Sequence, residues 1–451
     1  MKIAIIGGGW AGMAAAVQLA QSGHEPTVFE AAKTLGGRAR ALNLSLADAA
    51  LATADNGQHI LIGAYTQCLA LMRSVGVSAE QALLRKPLTL PYADGNGLRF
   101  PALPAPLDAL AGIACARGWT PGQRWALLAR AVRWRLQGFA CAPAATVADV
   151  CQGLPEPLMQ DFIEPLCVSA LNLPAAQASG SIFLRVLKDA LFAGSGGSHF
   201  LVPRVSLGAL FPEPAAQWLK AGGHAVHTAT RVLALQPQGA QWTLHTSAYA
   251  HSSAPARYDG VLLACPPHEA ARLVLGMDRN DPSHQRWAQT AQALEHTAIA
   301  TVYAQTAQRL SAQLPWLALR SSSRHPAQFV FDRGHLHAGD ASQQGLMAFV
   351  VSDCRSDRET LQAQVLQQAR EQLGWSGIRP VQTVIEKRAT FACTPGVERP
   401  GAELGQGLWA CGDYVAGPYP ATLEGAVLSG LDAAKSVVNS NQAAAGQLGK
   451  S

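Results

Sequence analysis

Apolar positions change their period several times along the chain. Residues 3 to 6 (IAII) are an unbroken apolar run, too short for a helix and closed by three glycines, so Lys2 to Ile6 predicts a buried strand. From Trp10 to Gln21 the residues are strong helix formers rich in alanine. Pro26 to Phe29 predicts a second strand that stops at Glu30. Similar short apolar runs return far downstream. Residues 222 to 246 (GGHAVHTATRVLALQPQGAQWTLHT) predict two or three strands with turns, and Leu262 to Cys265 predicts another, closed by Pro266 and Pro267. Near the far end, Leu408 to Cys411 predicts a strand, Gly412-Asp413 its turn, and Thr422 to Val438 a helix carrying the small residues Gly425, Ala426 and Gly430. Between these regions the period is helical: Trp125, Leu128, Val132 and Leu136 form one stripe, with Arg130 and Arg133 opposite.

The first three elements share a chemical purpose. Gly7, Gly9 and Gly12 spell G-x-G-x-x-G between a strand and a helix. The first glycine allows a tight turn, the second lets a pyrophosphate approach the backbone, and the third lets helix and strand pack closely. The helix start, at Trp10 and Ala11, offers free N–H groups and a partial positive charge to phosphates. Glu30, followed by Ala31, lies 18 residues past Gly12, where an acid accepts hydrogen bonds from a ribose diol. A dinucleotide is therefore expected on this unit.

Composition narrows the class. A chain of 451 residues is expected to fold as two or three domains. Only 14% of residues are charged, which suits large buried surfaces or a greasy cavity. No apolar run reaches the roughly 20 residues that span a bilayer, and glycines interrupt the N-terminal apolar run too early for a signal peptide. A cytoplasmic protein is expected. The nine cysteines are scattered and contain no C-x-x-C, so neither a disulfide framework nor a zinc site is expected, and no metal. A net charge of +5 is too mild to argue for nucleic acid. Charge placement is more informative. No acid occurs from Ala109 to Ala148, while Arg117, Arg124, Arg130, Arg133 and Arg135 gather beside Trp119, Trp125 and Trp134.

After Glu30 comes AAKTLGGRAR, whose Gly36, Gly37 and Arg38 resemble the second glycine pair of the flavoproteins that include amine oxidases, protoporphyrinogen oxidases and carotenoid desaturases. The segment GLWACGDYVAGPYPATLEGAVLSG is similar to the other end of the same family. The resemblance implies an α/β fold: a Rossmann-like FAD-binding domain of the glutathione-reductase/amine-oxidase type, with a discontinuous mixed α+β substrate domain. It implies FAD held by the residues above together with Gly37, Arg38, Gly57, Gln58, Val232, Gly412, Asp413, Thr422, Leu423 and Ala426. Arg38 would help neutralise the pyrophosphate, and the helix at Thr422 would point at the flavin pyrimidine. The implied division is 1–80, 200–268 and 396–439 for FAD, 81–199 and 269–395 for substrate, and a loose tail at 440–451.

The reaction is left to the residues near the flavin. Amine oxidases place an aromatic residue where this chain has Thr422, and draw a lysine from a region where this chain has none between Lys220 and Lys387. DNGQHILIGAY (55–65) and RATFACTPGVERP (388–400) instead resemble the hydroxysqualene dehydroxylase family, which reduces hydroxysqualene to squalene with reduced FAD. A proton donor for the leaving hydroxide is then needed. His59 is the first candidate, with Asp55 and Tyr65 behind it, although His59 also reads as a packing residue. A carotenoid or polyprenyl desaturase is the alternative, with an amine oxidase or a flavin-free prenyl-lipid carrier further off. No second G-x-G-x-x-G exists, so the electron donor is external and unidentified. A long-chain isoprenoid substrate would arrive from a membrane. The basic, tryptophan-bearing helix near 117–138 is the expected peripheral docking element, unless its stripe packs on the core.

Overall fold

The computed structural model describes residues 1–46, 51–192, 194–247, 256–277, 281–310, 313–405 and 407–448, the last eight as backbone alone. The chain opens with strand β1 (Lys2–Ile6), helix α1 (Trp10–Gln21) and strand β2 (Glu25–Phe29), as the apolar pattern predicts. Strand β3 (Leu51–Asp55) and helix α2 (Thr66–Ser74) follow. Helices α3 (Leu107–Ala114) and α4 (Pro121–Leu136) come next, α4 being started by a capping box between Thr120 and Gln123. Then come β4 (Ala225–His227), β5 (Gly260–Leu263), β6 (His296–Gln305), the short helix α5 (Arg333–Leu336), β7 (Arg379–Phe391), β8 (Glu403–Gly405), β9 (Leu408–Ala410) and helix α6 (Leu423–Leu448).

Six of these strands form one sheet in the order β4-β2-β1-β5-β9-β8, parallel except at the β9/β8 edge. Its strands come from three separated stretches of sequence. β1 sits inside the sheet, with Ile5 opposite both Val28 and Leu262. Both of its faces are covered, which is why it reads as an unbroken apolar run. Ile3 and Ile5 pack into the core around α1 and α6, while Ala4 and Ile6 face the other core.

A second, antiparallel sheet contains β6 flanked by β7 and by strand Leu346–Val351. Ala300, Val302 and Ala304 turn toward helix Arg358–Leu373 and form a core with Leu361 and Val365. Tyr303, on the opposite face, donates to the carbonyl of Asp55, which ends β3, at 2.6 Å. α6 runs on to Leu448, so residues 440–448, expected as a loose tail, continue the helix; 449–451 lie outside the described residues. No helix among the described residues is long and apolar enough to cross a membrane.

Candidate functional site

The carboxyl ends of the parallel strands carry the glycine loops. A Cβ on Gly12 would lie 2.0 Å from the Gly7 carbonyl oxygen, so α1 can approach β1 this closely only with glycine there. Gly9 differs. A Cβ on it would meet only the Gly37 Cα, at 3.9 Å, so the second glycine borders open space beside the second glycine pair. The two loops are tied edge to edge, Gly36 N–H donating to the Gly8 carbonyl at 3.0 Å. No side chain caps the start of α1 at Gly9, which leaves the N–H groups of its first turn, at Trp10, Ala11 and Gly12, to a ligand.

Glu30 closes this end. Its carboxylate accepts from Gly8 N–H at 2.7 Å and Ala32 N–H at 2.8 Å, bridging Ala31 and pinning the first loop to the end of β2. Thr230 N–H donates to the Glu30 carbonyl at 2.8 Å, which brings buried Val232 to the same edge.

The far end of the sequence folds back onto this loop. A Cβ on Gly430 would lie 2.2 Å from the Ala11 carbonyl oxygen, so α6 crosses α1 in near backbone contact. At the start of α6, Thr422 accepts from Gly425 N–H at 2.9 Å through its hydroxyl. Thr422, Leu423 and Ala426 keep accessible surface there, while Glu424 is buried. Arg38 forms an ion pair with Asp413 and donates to the Ala389 carbonyl at 2.8 Å. Gly412 N–H donates to Ser429 Oγ at 3.1 Å. A pyrophosphate-bearing dinucleotide fits this cradle: bare glycines, an uncapped helix start and a fixed guanidinium converge on it.

The 55–65 run lies beside the cradle. His59 Nδ1 contacts the Gly57 carbonyl oxygen at 3.0 Å. Burial is the main cause that holds the His59 imidazolium below its ordinary pKa, opposed by the Gly57 carbonyl and reinforced by Arg38. Low-dielectric surroundings disfavour the cation and favour the neutral ring. Yet His59 retains accessible surface while protein surrounds it, as a side chain lining an internal space does. Tyr65 behaves alike, with its hydroxyl close to Thr422 and its pKa raised by burial.

Asp55 plays a different part from the one expected. Its carboxylate accepts Leu207 N–H at 2.9 Å and is 5% exposed, so it anchors the following chain rather than lining the space beside His59. Burial pushes its pKa up to about 6 against the pull of Leu207 N–H and Arg333.

Several polar residues escaped the sequence reading. Arg333, only 3% exposed, reaches from α5 to Gln343 Oε1 (2.8 Å), the Thr53 carbonyl (3.0 Å) and Gln58 Oε1 (3.5 Å), with Tyr303 beneath it. Glu424 accepts Gln67 and Cys68 N–H groups, both at 2.9 Å, and so caps α2 from the first turn of α6. Thr301 Oγ1, fully buried and without a hydrogen-bond partner, lies 4.0 Å from a Cβ built on Gly57. Glu424 had a signal, an acid in the first turn of a helix with small residues. Arg333 and Thr301 had none, because Thr53 and Gln58, which Arg333 reaches, and Gly57, which Thr301 approaches, lie far earlier in the chain. Among the described residues no group of three or more His, Cys, Asp or Glu could hold a metal ion.

Comparison with known proteins agrees with this geometry. A protein from Rhodopseudomonas palustris named hydroxysqualene dehydroxylase is 27% identical over 464 residues, covering 97% of this chain and 99% of the relative. A zeta-carotene desaturase from Capsicum annuum is 35% identical, but over 116 residues, 24% of this chain and 18% of the relative. The solved structure of an oxidoreductase from Methanosarcina mazei superposes with a TM-score of 0.73 at 15% identity, covering 96% of this chain and 99% of that one. Residues 10–438 match the family model described as flavin containing amine oxidoreductase. The chain belongs to that family, an FAD-dependent oxidoreductase family, and its cofactor is FAD.

Proposed function

We propose that this protein reduces hydroxysqualene to squalene, an allylic dehydroxylation serving squalene and hopanoid synthesis. The observation that carries the reading is similarity along the whole chain to proteins named for that reaction, against similarity over only a quarter of it to the carotene desaturase. FAD, when bound and reduced, supplies the hydride. The balance is one alcohol, one hydride and one proton giving one hydrocarbon and one water.

The residues divide the remaining work. The glycine loops, Glu30, Arg38 and the start of α6 hold the dinucleotide. Gly57, Gln58 and His59 would lie beside its ring, and with Nδ1 engaged by the Gly57 carbonyl, Nε2 is the His59 nitrogen that would serve the substrate. Enclosure keeps water from an allylic cation. His59 is the favoured proton donor, with Tyr65 next. Thr422 and the missing lysine speak against amine oxidation. The substrate class is a long-chain isoprenoid, the protein is peripheral to a membrane, and the reductant of FAD is external.

An anaerobic single turnover tests the reading. Photoreduced holoenzyme mixed with hydroxysqualene in detergent should reoxidise its flavin as squalene appears. Flavin that stays reduced, with no squalene formed, overturns it. Oxidised enzyme that then desaturates a polyene precursor would establish the desaturase instead.

A further inference from the structure

Three of the four stripe residues on α4 face outward, while Leu128 packs against the core. Trp125, Val132 and Leu136 are 72%, 52% and 84% exposed, whereas the inward face is made by Leu127 and Trp134. Trp134 is fixed there, its Nε1 donating to the Val150 carbonyl at 3.1 Å. The helix therefore packs by one apolar face and leaves a second without a partner in this chain. A solitary exposed leucine means nothing, but clustering does. Of the nine exposed large apolar side chains among the described residues, six fall between Leu103 and Leu136. Leu107 and Leu110 lie on α3, which packs beside α4. Phe192 adds a seventh at the far end, under the Arg135 guanidinium 5.2 Å from its ring centroid.

The arginines sort into two groups. Arg124 and Arg130 are turned back to the protein, donating to the carbonyls of Ala114 (3.1 Å) and Val150 (3.0 Å). Arg130 is thus a tether to the protein. Arg117, Arg133 and Arg135 are exposed, and no acid lies between residues 109 and 148 to offset them.

We infer that the outer face of α3 and α4 docks on an anionic phospholipid bilayer, with Trp125, Val132 and Leu136 entering the headgroup boundary and Arg117, Arg133 and Arg135 meeting lipid phosphates. Charge complementarity decides the occupant. Two copies of this face would bring like charges together, whereas an anionic surface neutralises them while the apolar side chains leave water. The inference gives the isoprenoid reading a route for its substrate, and rests on that reading only for its purpose.

Flotation of the FAD-loaded protein with phosphatidylglycerol/phosphatidylcholine vesicles, and with phosphatidylcholine alone, tests it. Wild type should float with the anionic vesicles and much less with the neutral ones. A Trp125→Asp, Leu136→Asp double variant and an Arg133→Glu, Arg135→Glu double variant should each lose about tenfold or more of that partitioning. Both should keep their FAD and their turnover in detergent, which guards against mere misfolding. Wild type that stays in solution, or variants that float equally well, overturns the inference. So does a wild-type dimer, seen by sedimentation and broken by Trp125→Asp, because the occupant is then a second copy. Flotation needs no hydroxysqualene, so failure of the reaction reading leaves this result standing, and the converse holds.

Discussion

Arg38 and Asp413, separated by 375 residues in sequence, form one ion pair at the mouth of the dinucleotide cradle. The pair joins the second glycine loop to the turn after β9, and the Ala389 carbonyl takes the remaining edge of the guanidinium. Arg38 is thereby a strut between the chain ends, and on the proposed reading also a cation near the phosphates. Arg38→Ala removes both contributions. Hydrogen bonds to charged groups contribute about 1.5–3 kcal/mol each, so FAD affinity should fall by about tenfold to a hundredfold. Fluorescence titration of the apoprotein measures it. Asp413→Asn keeps a weaker acceptor and should lie between wild type and Arg38→Ala.

Gly430 is a packing glycine. A side chain there would strike the Ala11 carbonyl oxygen, and the struck atom is backbone, which cannot swing away. Gly430→Ala should push α6 from α1, destabilising the protein by about 1–3 kcal/mol. A lower melting temperature together with faster flavin loss is expected. Gly276, with nothing within 4 Å of an added Cβ, is the control and should tolerate alanine.

How much was legible in the sequence follows from the range of the interactions. β1, α1, β2, the glycine loop and Glu30 were readable because strand, turn and helix signals are local and in register. The helix at Thr422 was found for the same reason, its end misplaced because small polar residues after Val438 gave no stop signal beyond reduced apolarity. Arg333 was invisible: its partners Thr53 and Gln58 lie 280 and 275 residues earlier, and no periodicity encodes such a meeting. The α4 stripe was legible as a stripe, but which of its faces meets the core was not. An amphipathic pattern ranks faces by hydropathy, and here both the inward face and the outward one are apolar.

Asp55 gives a pH signature. Its folded pKa is raised to about 6 from an ordinary 3.8, so the folded state binds the proton more tightly than the unfolded chain. The stability this contributes is fully present below about pH 4 and is lost as pH rises through about 6. Asp55→Asn cannot ionise, and retains an oxygen to accept Leu207 N–H. The difference in unfolding free energy, wild type minus Asp55→Asn, should therefore fall between pH 4 and pH 6 and be flat above, by up to about 3 kcal/mol at 1.36 kcal/mol per pKa unit. Denaturant melts of both proteins across that range measure it. A difference that rises with pH would contradict the assignment of burial as the dominant cause.

His59 has the opposite shift, and its signature is read in a rate rather than in stability. Its imidazolium is held below 6.5 by burial, with Arg38 nearby adding to the effect. If the imidazolium hands its proton to the departing hydroxide, the reactive fraction grows as pH falls, and keeps growing below 6.5 because the folded pKa lies lower still. Flavin reoxidation in anaerobic single turnover should then accelerate from pH 8 toward pH 5. His59→Gln, which keeps a polar group of similar reach, should abolish that limb and slow the step by about 10²- to 10⁴-fold, the usual worth of a positioned acid. FAD content and absorbance should be unchanged in the same variant, since the Gly57 and Gln58 backbone remains. A histidine that merely packs against the ring would give the reverse: a shifted flavin spectrum with an unaltered pH profile. The pH limb and the spectrum together assign His59 to one role or the other, and a flat profile in wild type passes the proton to Tyr65.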